Sequence, residues 1–351
     1  MIDTDQKLAA FLPALCTASW VALDTEADSL HAYPEKLCLI QIGIEGRDEL
    51  VDPLARMHLK PLWDALRPHE LILHGADYDL RLLRKCSDFV PSAIFDTMLA
   101  ARLIGCRRFG LTDLVGRYLG VTLEKGPQKA NWARRPLTPR MASYARNDVH
   151  YLKPLADLLR FQLGEKGRLT WHQESCARLI ADSTEIRDPD PDSVWRVKGS
   201  SKLGPQSLAV LREIWQWREA EAVAANKPPF FVLPPAAMVH LAATVVEDAG
   251  RVFDLVPRHF SVRRRQGLLQ AITQGRAAKS LPEVPRPRSR RQSEAERRRL
   301  HELTRRRNHH ATQLGIDPTL IASRAVLAML ARDWSAYERD LMDWQRALLR
   351  A

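Results

Sequence analysis

The chain has 351 residues, of which 45% are hydrophobic and 27% are charged. This length favours roughly two or three domains, and the apolar fraction is sufficient for ordinary globular cores. Lysine and arginine outnumber aspartate and glutamate by 53 to 42, which gives a formal charge of +11. Such a balance favours an anionic partner, either nucleic acid or a membrane surface.

No segment of the sequence is typical of export or of membrane insertion. The first residues are acidic and lack the apolar core of a signal peptide. No run of about 18 apolar residues is present, which argues against a membrane span. The five cysteines form no CxxC pair, so we expect thiols rather than disulfides or a zinc site. The sequence therefore predicts a cytoplasmic protein with no membrane partner.

The first 120 or so residues alternate between strand-like and helix-like patterns. Strand-like runs lie at 20–23, 37–44, 49–51 and 71–73, and amphipathic helical segments lie at 58–67, 78–86 and 111–119. This alternation predicts an α/β domain. The stretch between the first two strands is too short for a crossover helix, so these strands should pair antiparallel and the sheet should be mixed.

From about residue 138 the chain is predicted to be helical. Thr138 supplies an N-cap and Pro139 the favoured first position of a helix that should run to about Leu163. Two proline-containing stretches, an acidic one at 188–193 and an arginine-rich one at 281–292, are typical of linkers. The predicted division is an α/β domain at 1–165, a helical connector and linker at 166–198, a helical domain at 199–280, and a basic linker with a second helical domain at 281–351.

Asp24 and Glu26 follow the first strand-like run directly. Side chains two residues apart on a strand share one face of the sheet, so these carboxylates should lie side by side. A strand that enters a solvated acidic turn has the same pattern. The pair alone therefore does not assign a site.

Asp148 interrupts an apolar helical stripe. Residues four apart share a helix face, so Tyr144 and Asp148 should be neighbours. A buried carboxylate is costly without a cation, and that cation can be a basic side chain or a metal ion. The stripe leaves both alternatives open.

Asp77 and Asp79 lie where the strand-like run at 71–73 gives way to a helix. Asp77 has the position of a helix cap. Asp79 lies two residues further into the helix and can project back over the end of the strand. Local chemistry does not decide between them.

These acids together indicate a site for hard divalent cations. Carboxylates without a Cys/His cluster suit Mg²⁺ or Mn²⁺. Two such ions about 3.5–4 Å apart stabilise the attacking and leaving oxygens of an in-line phosphoryl displacement. Because a tyrosine hydroxyl has a pKa of about 10, Tyr144 should be neutral and should orient a water molecule by hydrogen bonding.

The order of these motifs resembles that of a known family. The stretches at 23–26, 74–80 (HGADYDL) and 144–152 (YARNDVHYL) are similar to the three exonuclease motifs of the DEDD superfamily, in its tyrosine subclass. The stretches at 94–97 and 131–137 resemble the ribonuclease D family, and 203–234 resembles the helical domain that this family shares with RecQ helicases. The resemblance covers about 1–280, and the residues beyond match only loosely, as a second copy of the helical domain.

The resemblance implies a fold, an activity and a set of ligands. It implies that two divalent metal ions, Mg²⁺ or Mn²⁺, are bound by Asp24, Glu26, Asp79 and Asp148. Tyr144 then orients the attacking water. In the second motif the family ligand is the acid directly before the leucine, which is Asp79. The implied fold is an RNase H-like mixed sheet followed by all-α domains.

The implied reaction is hydrolysis of single-stranded RNA from its 3′ end, with release of nucleoside 5′-monophosphates. The implied role is the trimming of tRNA and other stable RNA precursors, and we expect a monomer. Two alternatives share this sequence pattern. One is a binding protein on a nuclease fold that holds RNA without cutting it. The other is a DNA 3′→5′ exonuclease, since the same chemistry cuts either backbone.

RNA-binding residues are expected outside the acidic motifs. The family often has an aromatic residue after the first motif, where this chain has Ala27, and Tyr33 is predicted to supply a ring against a base. Arg263, Arg264 and Arg265 are predicted to contact phosphates. The segment 281–310 adds ten arginines against four glutamates, either as an RNA-binding surface or as a solvated helix face with internal ion pairs.

Overall fold

The computed structural model describes residues 1–124, 126–185, 190–248, 251, 255–257, 259–283 and 292–350. The chain forms two compact units. Unit 1 comprises Met1–Ala27, Leu37–Glu185 and Arg290–Ala351, and unit 2 comprises Asp28–Lys36 and Ile186–Ser289. Parts of both predicted linkers, 188–189 and 284–291, lie outside the described residues.

A five-stranded mixed sheet lies at the centre of unit 1. Its strands are β1 (Val21–Ala27), β2 (Leu37–Ile44), β3 (Arg47–Val51), β4 (Glu70–Leu73) and β5 (Ala93–Asp96), in the spatial order β3-β2-β1-β4-β5. β1 pairs antiparallel with β2 and parallel with β4, which confirms the predicted mixed sheet. β1 is therefore the central strand, and its end carries the first acidic motif.

Helices cover both faces of this sheet. They are α1 (Asp5–Cys16), α2 (Lys60–Leu66), α3 (Asp77–Ser87), α4 (Thr97–Ile104), α5 (Leu111–Leu119), α6 (Pro139–His150), α7 (Leu152–Glu165) and α8 (Leu169–Thr184). Alternate residues of β1 enter different cores, because successive side chains on a strand point to opposite faces. Ala22 packs in one hydrophobic cluster, whereas Val21 and Leu23 pack in another.

The predicted helix from 138 to about Leu163 is divided in the structure. The Thr138 side chain accepts a hydrogen bond from the Met141 amide, as expected for an N-cap. The helix then ends at His150, and a second helix begins at Leu152. Pro154 explains the break, since it cannot donate to the carbonyl four residues earlier and its ring collides with that carbonyl.

Unit 2 is helical. Its helices are α9 (Pro205–Ala225), α10 (Pro229–Val232), α11 (Pro235–Glu247) and α12 (Val262–Arg276). Leu211, Ile214 and Leu268 are fully buried in its core, and Trp215 and Trp217 pack against that core. Among the described residues of the whole chain, no helix is long and apolar enough to cross a membrane.

The last helices of the chain belong to unit 1. They are α13 (Glu294–Leu314), α14 (Pro318–Ile321), α15 (Arg324–Arg332), α16 (Trp334–Tyr337) and α17 (Asp343–Arg350). Leu303, Leu327 and Trp344 share one hydrophobic cluster with Phe95 and Leu155. This grouping differs from the predicted one, in which 281–351 stands apart, because the apolar faces of these helices pack on the core of unit 1.

Candidate active site

Three carboxylates converge at the end of the central strand. Asp24 and Glu26 lie on the same face of β1, and Asp148 lies on α6. One carboxylate oxygen from each of the three residues lies within 4.8 Å of the others. The predicted metal ligands of the first and third motifs are therefore neighbours in space, although more than 100 residues separate them along the chain.

Asp79 adjoins this group from α3. The hydroxyl of Thr25, between the two acids of β1, donates a hydrogen bond to the Asp79 carboxylate, which is buried. The Asp79 carboxylate is not among the three whose oxygens lie within 4.8 Å of one another, but its charge raises the pKa of Asp24, Glu26 and Asp148. The structure thus brings together all four acids that the sequence singled out.

The four carboxyl groups resist ionisation. Burial, followed by repulsion from the other acids, raises the pKa of Asp24 well above its usual value. Burial likewise raises the pKa of Glu26 to about 9 and that of Asp148 to about 7. Burial raises the pKa of Asp79 to about 6, although the hydrogen bond from Thr25 opposes it. Four acids with raised pKa values form a site that lacks positive charge.

These four acids have the properties of a binding site for a cation. Among the described residues, no lysine or arginine forms an ion pair with Asp24, Glu26, Asp79 or Asp148. The alternative that a basic side chain pairs with Asp148 thus finds no support among the described residues. Clustered carboxylate oxygens are the ligands of hard divalent ions such as Mg²⁺ and Mn²⁺. The donor set thus fits the ions that the sequence predicted.

Tyr144 lies on the same face of α6 as Asp148. Tyr144, Asp148 and Gln128 line the same cleft. Burial and the charge of Asp148 raise the pKa of Tyr144, so its hydroxyl stays protonated. Gly126 lies against the ring, where a Cβ atom would be 1.5 Å from Cδ2 of Tyr144. The tyrosine is thereby fixed as a hydrogen-bond donor beside the acids.

A cleft of about 1110 Å³ opens onto these residues. Asp24, Tyr144 and Asp148 line one part of it, and residues 110–113, 123–124 and 126–130 line other parts. This volume exceeds that of a typical small-molecule pocket, about 300–1,000 Å³. It suits a substrate longer than one small molecule.

His74 also lines this cleft, and no sequence pattern had assigned it a role. Thr97 donates its single hydroxyl proton to the Leu73 carbonyl at 3.0 Å. The 2.8 Å contact between Thr97 and Nδ1 of His74 therefore requires the proton on Nδ1. Burial lowers the pKa of His74, so the ring is neutral and Nε2 is an acceptor that has no hydrogen-bond partner among the described residues.

The turn that holds the second motif is fixed by Asp96. Its carboxylate accepts hydrogen bonds from the amides of Gly75 at 3.1 Å and Ala76 at 2.8 Å, and it caps α4 as well. Gly75 has φ +72°, and a Cβ atom there would lie 2.4 Å from Cε of Met98. Asp96 lies in the 94–97 stretch, and its position before a helix was the signal that could have revealed this role.

Asp77 does not cap α3. The N-cap of this helix is Ala76, which makes no side-chain cap bond, and Asp77 is the first helical residue. The exposed Asp77 carboxylate pairs with Arg81 and accepts a hydrogen bond from the Ser183 hydroxyl at 3.1 Å. The prediction of a cap was wrong, but the role of Asp77 is structural.

The 131–137 stretch also has a structural role. Arg135 makes two bonds to the Asp52 carboxylate, at 2.5 and 2.6 Å. It also donates to the carbonyls of Cys38 at 2.6 Å and Trp132 at 2.8 Å. These bonds tie the segment before α6 to β2, and so position Tyr144 and Asp148 relative to the sheet.

The predicted RNA-binding residues of unit 2 make contacts within that unit. The Tyr33 hydroxyl donates to Glu219 at 2.6 Å. Arg263 and Arg264 both pair with Glu221, at 2.6 and 3.1 Å. Nε of the third arginine, Arg265, donates to a backbone carbonyl of the same unit at 3.0 Å. Their predicted contacts with RNA stay predictions.

Several arginines of the basic segment at 281–310 are engaged within unit 1. Arg298 and Arg305 pair with glutamates on the same helix. Arg299 and Arg307 donate to backbone carbonyls at 2.6 and 3.0 Å. For these residues the structure favours the alternative of a helix face with internal pairs. The residues at 284–291 lie outside the described chain.

Comparisons with known proteins agree with this geometry. Residues 1–164 match the family model described as 3′-5′ exonuclease, and residues 207–255 match the HRDC domain. Ribonuclease D of Gluconacetobacter diazotrophicus is 31% identical over 306 residues, which cover 85% of this chain and 76% of that protein. Ribonuclease D of Desulfotalea psychrophila is 28% identical, and the match covers 100% of this chain and 96% of that protein.

The fold is also similar to a solved structure. The crystal structure of Escherichia coli RNase D, described as an exoribonuclease involved in structured RNA processing, matches with a TM-score of 0.76 at 25% identity. The match covers 100% of this chain and 98% of that one. The RNase H-like sheet and its acidic cluster define a 3′→5′ exonuclease. With a helical HRDC domain behind it, the chain belongs to the ribonuclease D family and is a 3′→5′ exoribonuclease.

Proposed function

We propose that this protein removes nucleotides from the 3′ ends of single-stranded RNA as nucleoside 5′-monophosphates, and that it trims tRNA and other stable RNA precursors. The observation that carries the proposal is the convergence of Asp24, Glu26 and Asp148, with oxygens within 4.8 Å of one another, beside the buried Asp79. Phosphodiester hydrolysis is the chemistry that such a cluster supports best.

The four carboxylates would hold two divalent metal ions, Mg²⁺ or Mn²⁺. Such ions activate the attacking water and stabilise the charge that develops on the leaving oxygen. The raised pKa values of the acids fit this role, because a bound cation favours the ionised carboxylates that burial alone disfavours.

Tyr144 would orient the attacking water. Its pKa is raised above the usual value, so its hydroxyl remains a donor and a poor general base. Gly126 packs against the Tyr144 ring, and Asp148 lies one turn further along the same helix. The hydroxyl is therefore held at a defined position next to a metal ligand, where a fixed dipole is worth more than a mobile one.

Thr25 and Asp96 would act as positioning residues. Thr25 holds the Asp79 carboxylate toward β1, and Asp96 fixes the turn from which α3 begins. A ligand that is aligned by other hydrogen bonds loses less entropy on binding a cation. The acids should therefore be close to their binding geometry before a metal ion arrives.

A labelled RNA tests the proposal. The purified chain is incubated with 5′-labelled single-stranded RNA and Mg²⁺ or Mn²⁺, with and without EDTA. We expect stepwise shortening and release of nucleoside 5′-monophosphates, both stopped by EDTA. Asp24→Asn and a circular RNA of the same sequence serve as inactive controls. Unchanged linear RNA with both metals would leave a binding protein on a nuclease fold as the alternative.

Cellular placement is proposed on separate grounds. All five cysteines are thiols rather than disulfides in the structure, which fits a reducing compartment. We therefore propose a cytoplasmic protein that acts as a monomer. Sedimentation of the purified chain tests the second point, and a mass of about two chains would contradict it.

A further inference from the structure

A second cleft lies on unit 1 beside the candidate active site. Its volume is about 540 Å³, and it is lined by Gly105, Arg107, Arg108, Asp113 and Arg117. Three guanidinium groups thus face one small opening that contains a single carboxylate. The balance of charge in this cleft is positive.

The two clefts meet at the start of α5. Asp113 lines both of them, and its neighbours Gly110, Leu111 and Thr112 line the active-site cleft alone. A strand whose 3′ end lies at the acidic cluster can therefore leave the active-site cleft past Thr112 and reach the three arginines. No change of fold is required for this path.

The arginines of this cleft are exposed to solvent. Within the described chain, neither Arg107 nor Arg108 makes an ion pair with a carboxylate, and both are exposed. By contrast, Arg178, Arg298 and Arg305 each pair with an acid about one turn away. Unpaired guanidinium groups grouped on one surface suit phosphate oxygens, to which they can bind in a bidentate manner.

The scaffold under the arginines is fixed. Leu114 and Val115 of α5 are fully buried. A Cβ atom at Gly105 would lie 2.4 Å from the carbonyl oxygen of Gly315, so the loop before Arg107 packs directly on the end of α13. The guanidinium carbon of Arg117 lies 5.2 Å from the centroid of the adjacent tyrosine ring. The charges therefore project from a rigid base.

We propose that Arg107, Arg108 and Arg117 form a phosphate-binding subsite for single-stranded RNA, which holds the backbone upstream of the 3′-terminal nucleotide. The proposal deepens the proposed function and rests on it, since the RNA must enter the active-site cleft by its 3′ end. The subsite binds phosphates rather than bases, so it is independent of sequence. It lies in unit 1 and is distinct from the arginines predicted in unit 2.

Binding is tested with the full chain and a labelled single-stranded RNA of about 16 nucleotides, in EDTA so that the RNA is not cut. Fluorescence anisotropy gives Kd at several KCl concentrations. The triple variant Arg107→Gln, Arg108→Gln, Arg117→Gln should bind about tenfold more weakly. The slope of its affinity against salt should fall by about 2, because each single-strand phosphate that an arginine neutralises contributes roughly 0.7.

The matched control is Arg178→Gln, Arg298→Gln, Arg305→Gln, which removes the same charge from exposed arginines that are already paired. It should change Kd by less than about twofold. Replacing the three cleft arginines by lysine should restore the salt slope but not the full affinity, because lysine keeps the charge and lacks the bidentate geometry. Thermal unfolding shows whether each variant is folded.

RNA length provides a second measurement. With Mn²⁺ present, the glutamine variant should raise KM for the long RNA by several-fold more than for a dinucleotide, which is too short to span both clefts. Equal effects on both lengths, or equal weakening by the control variant, would overturn the proposal. If the wild-type chain binds with the expected slope but cuts no RNA, the proposed function fails and the subsite stands.

Discussion

Replacement of Asp79 by asparagine is expected to stabilise the metal-free protein while it abolishes RNA cleavage. The carboxylate is buried beside three other acids, and burial raises its pKa from 3.8 to about 6. A pKa difference of about 2 corresponds to roughly 3 kcal/mol of unfolding free energy. The asparagine amide oxygen still accepts the Thr25 hydrogen bond, so we expect a gain of about 1–2 kcal/mol at a pH of about 8.

The pH dependence of this gain follows from the direction of the pKa difference. Because the folded-state pKa of Asp79 lies above the unfolded one, the ionised group destabilises the fold fully above about pH 6 and not at all below about pH 4. The difference in stability between variant and wild type should therefore shrink as the pH falls from about 7 toward 4. Urea unfolding in EDTA measures it.

Asp77→Asn is the matched control for Asp79→Asn. Asp77 is exposed and pairs with Arg81, so its replacement should cost less than about 1 kcal/mol and leave most of the RNA cleavage intact. Asp79→Asn should reduce cleavage of 5′-labelled RNA by at least roughly 100-fold. Destabilisation of the metal-free chain by Asp79→Asn would refute the expected effect of burial. If Asp77→Asn instead stops cleavage, Asp77 rather than Asp79 is the metal ligand.

Three further outcomes are expected. Tyr144→Phe should lower kcat by roughly 100-fold without changing the Kd for Mn²⁺, and a matching decrease in metal affinity would contradict a role in orienting water. The affinity for Mn²⁺ should rise between about pH 6 and 9, because Asp148 and Glu26 have pKa values of about 7 and 9 and must lose their protons to bind the ion. Calorimetry measures the protons released. An affinity independent of pH would show that the acids are already ionised. Arg135→Leu should lower the free energy of unfolding, measured in urea, by about 3–5 kcal/mol, since it leaves the buried Asp52 unpaired. A change below about 1 kcal/mol would show that this pair contributes no more than a surface ion pair.

The sequence predicts most of the sheet because its signals are local. The apolar run at 37–44 is β2, and the segment at 111–119 is α5. The short connection between the first two strands correctly predicts their antiparallel pairing. The sequence also contains the residue that causes the helix break at Tyr151, which is Pro154. The strong cap at Thr138 nevertheless favoured the prediction of one continuous helix.

Other parts of the structure depend on contacts that no local pattern contains. The apolar faces of the helices beyond Ser293 are visible in the sequence, but the surface that they cover is not. The roles of Asp96 and His74 likewise depend on neighbours about 20 residues away in the chain, Ala76 and Thr97. Burial and partners of this kind are set by tertiary packing, which periodicity alone does not specify.

Unit 1 is discontinuous along the chain, and this order affects how the enzyme matures. A ribosome releases α13–α17 only after the whole of unit 2. Until then Phe95 and Leu155 lack the apolar cover that Leu303 and Leu327 provide. Domains usually fold as they emerge from the ribosome, but the apolar core of unit 1 would be completed only once those helices are free. A nascent chain that stalls within unit 2 would thus leave those apolar residues of unit 1 uncovered.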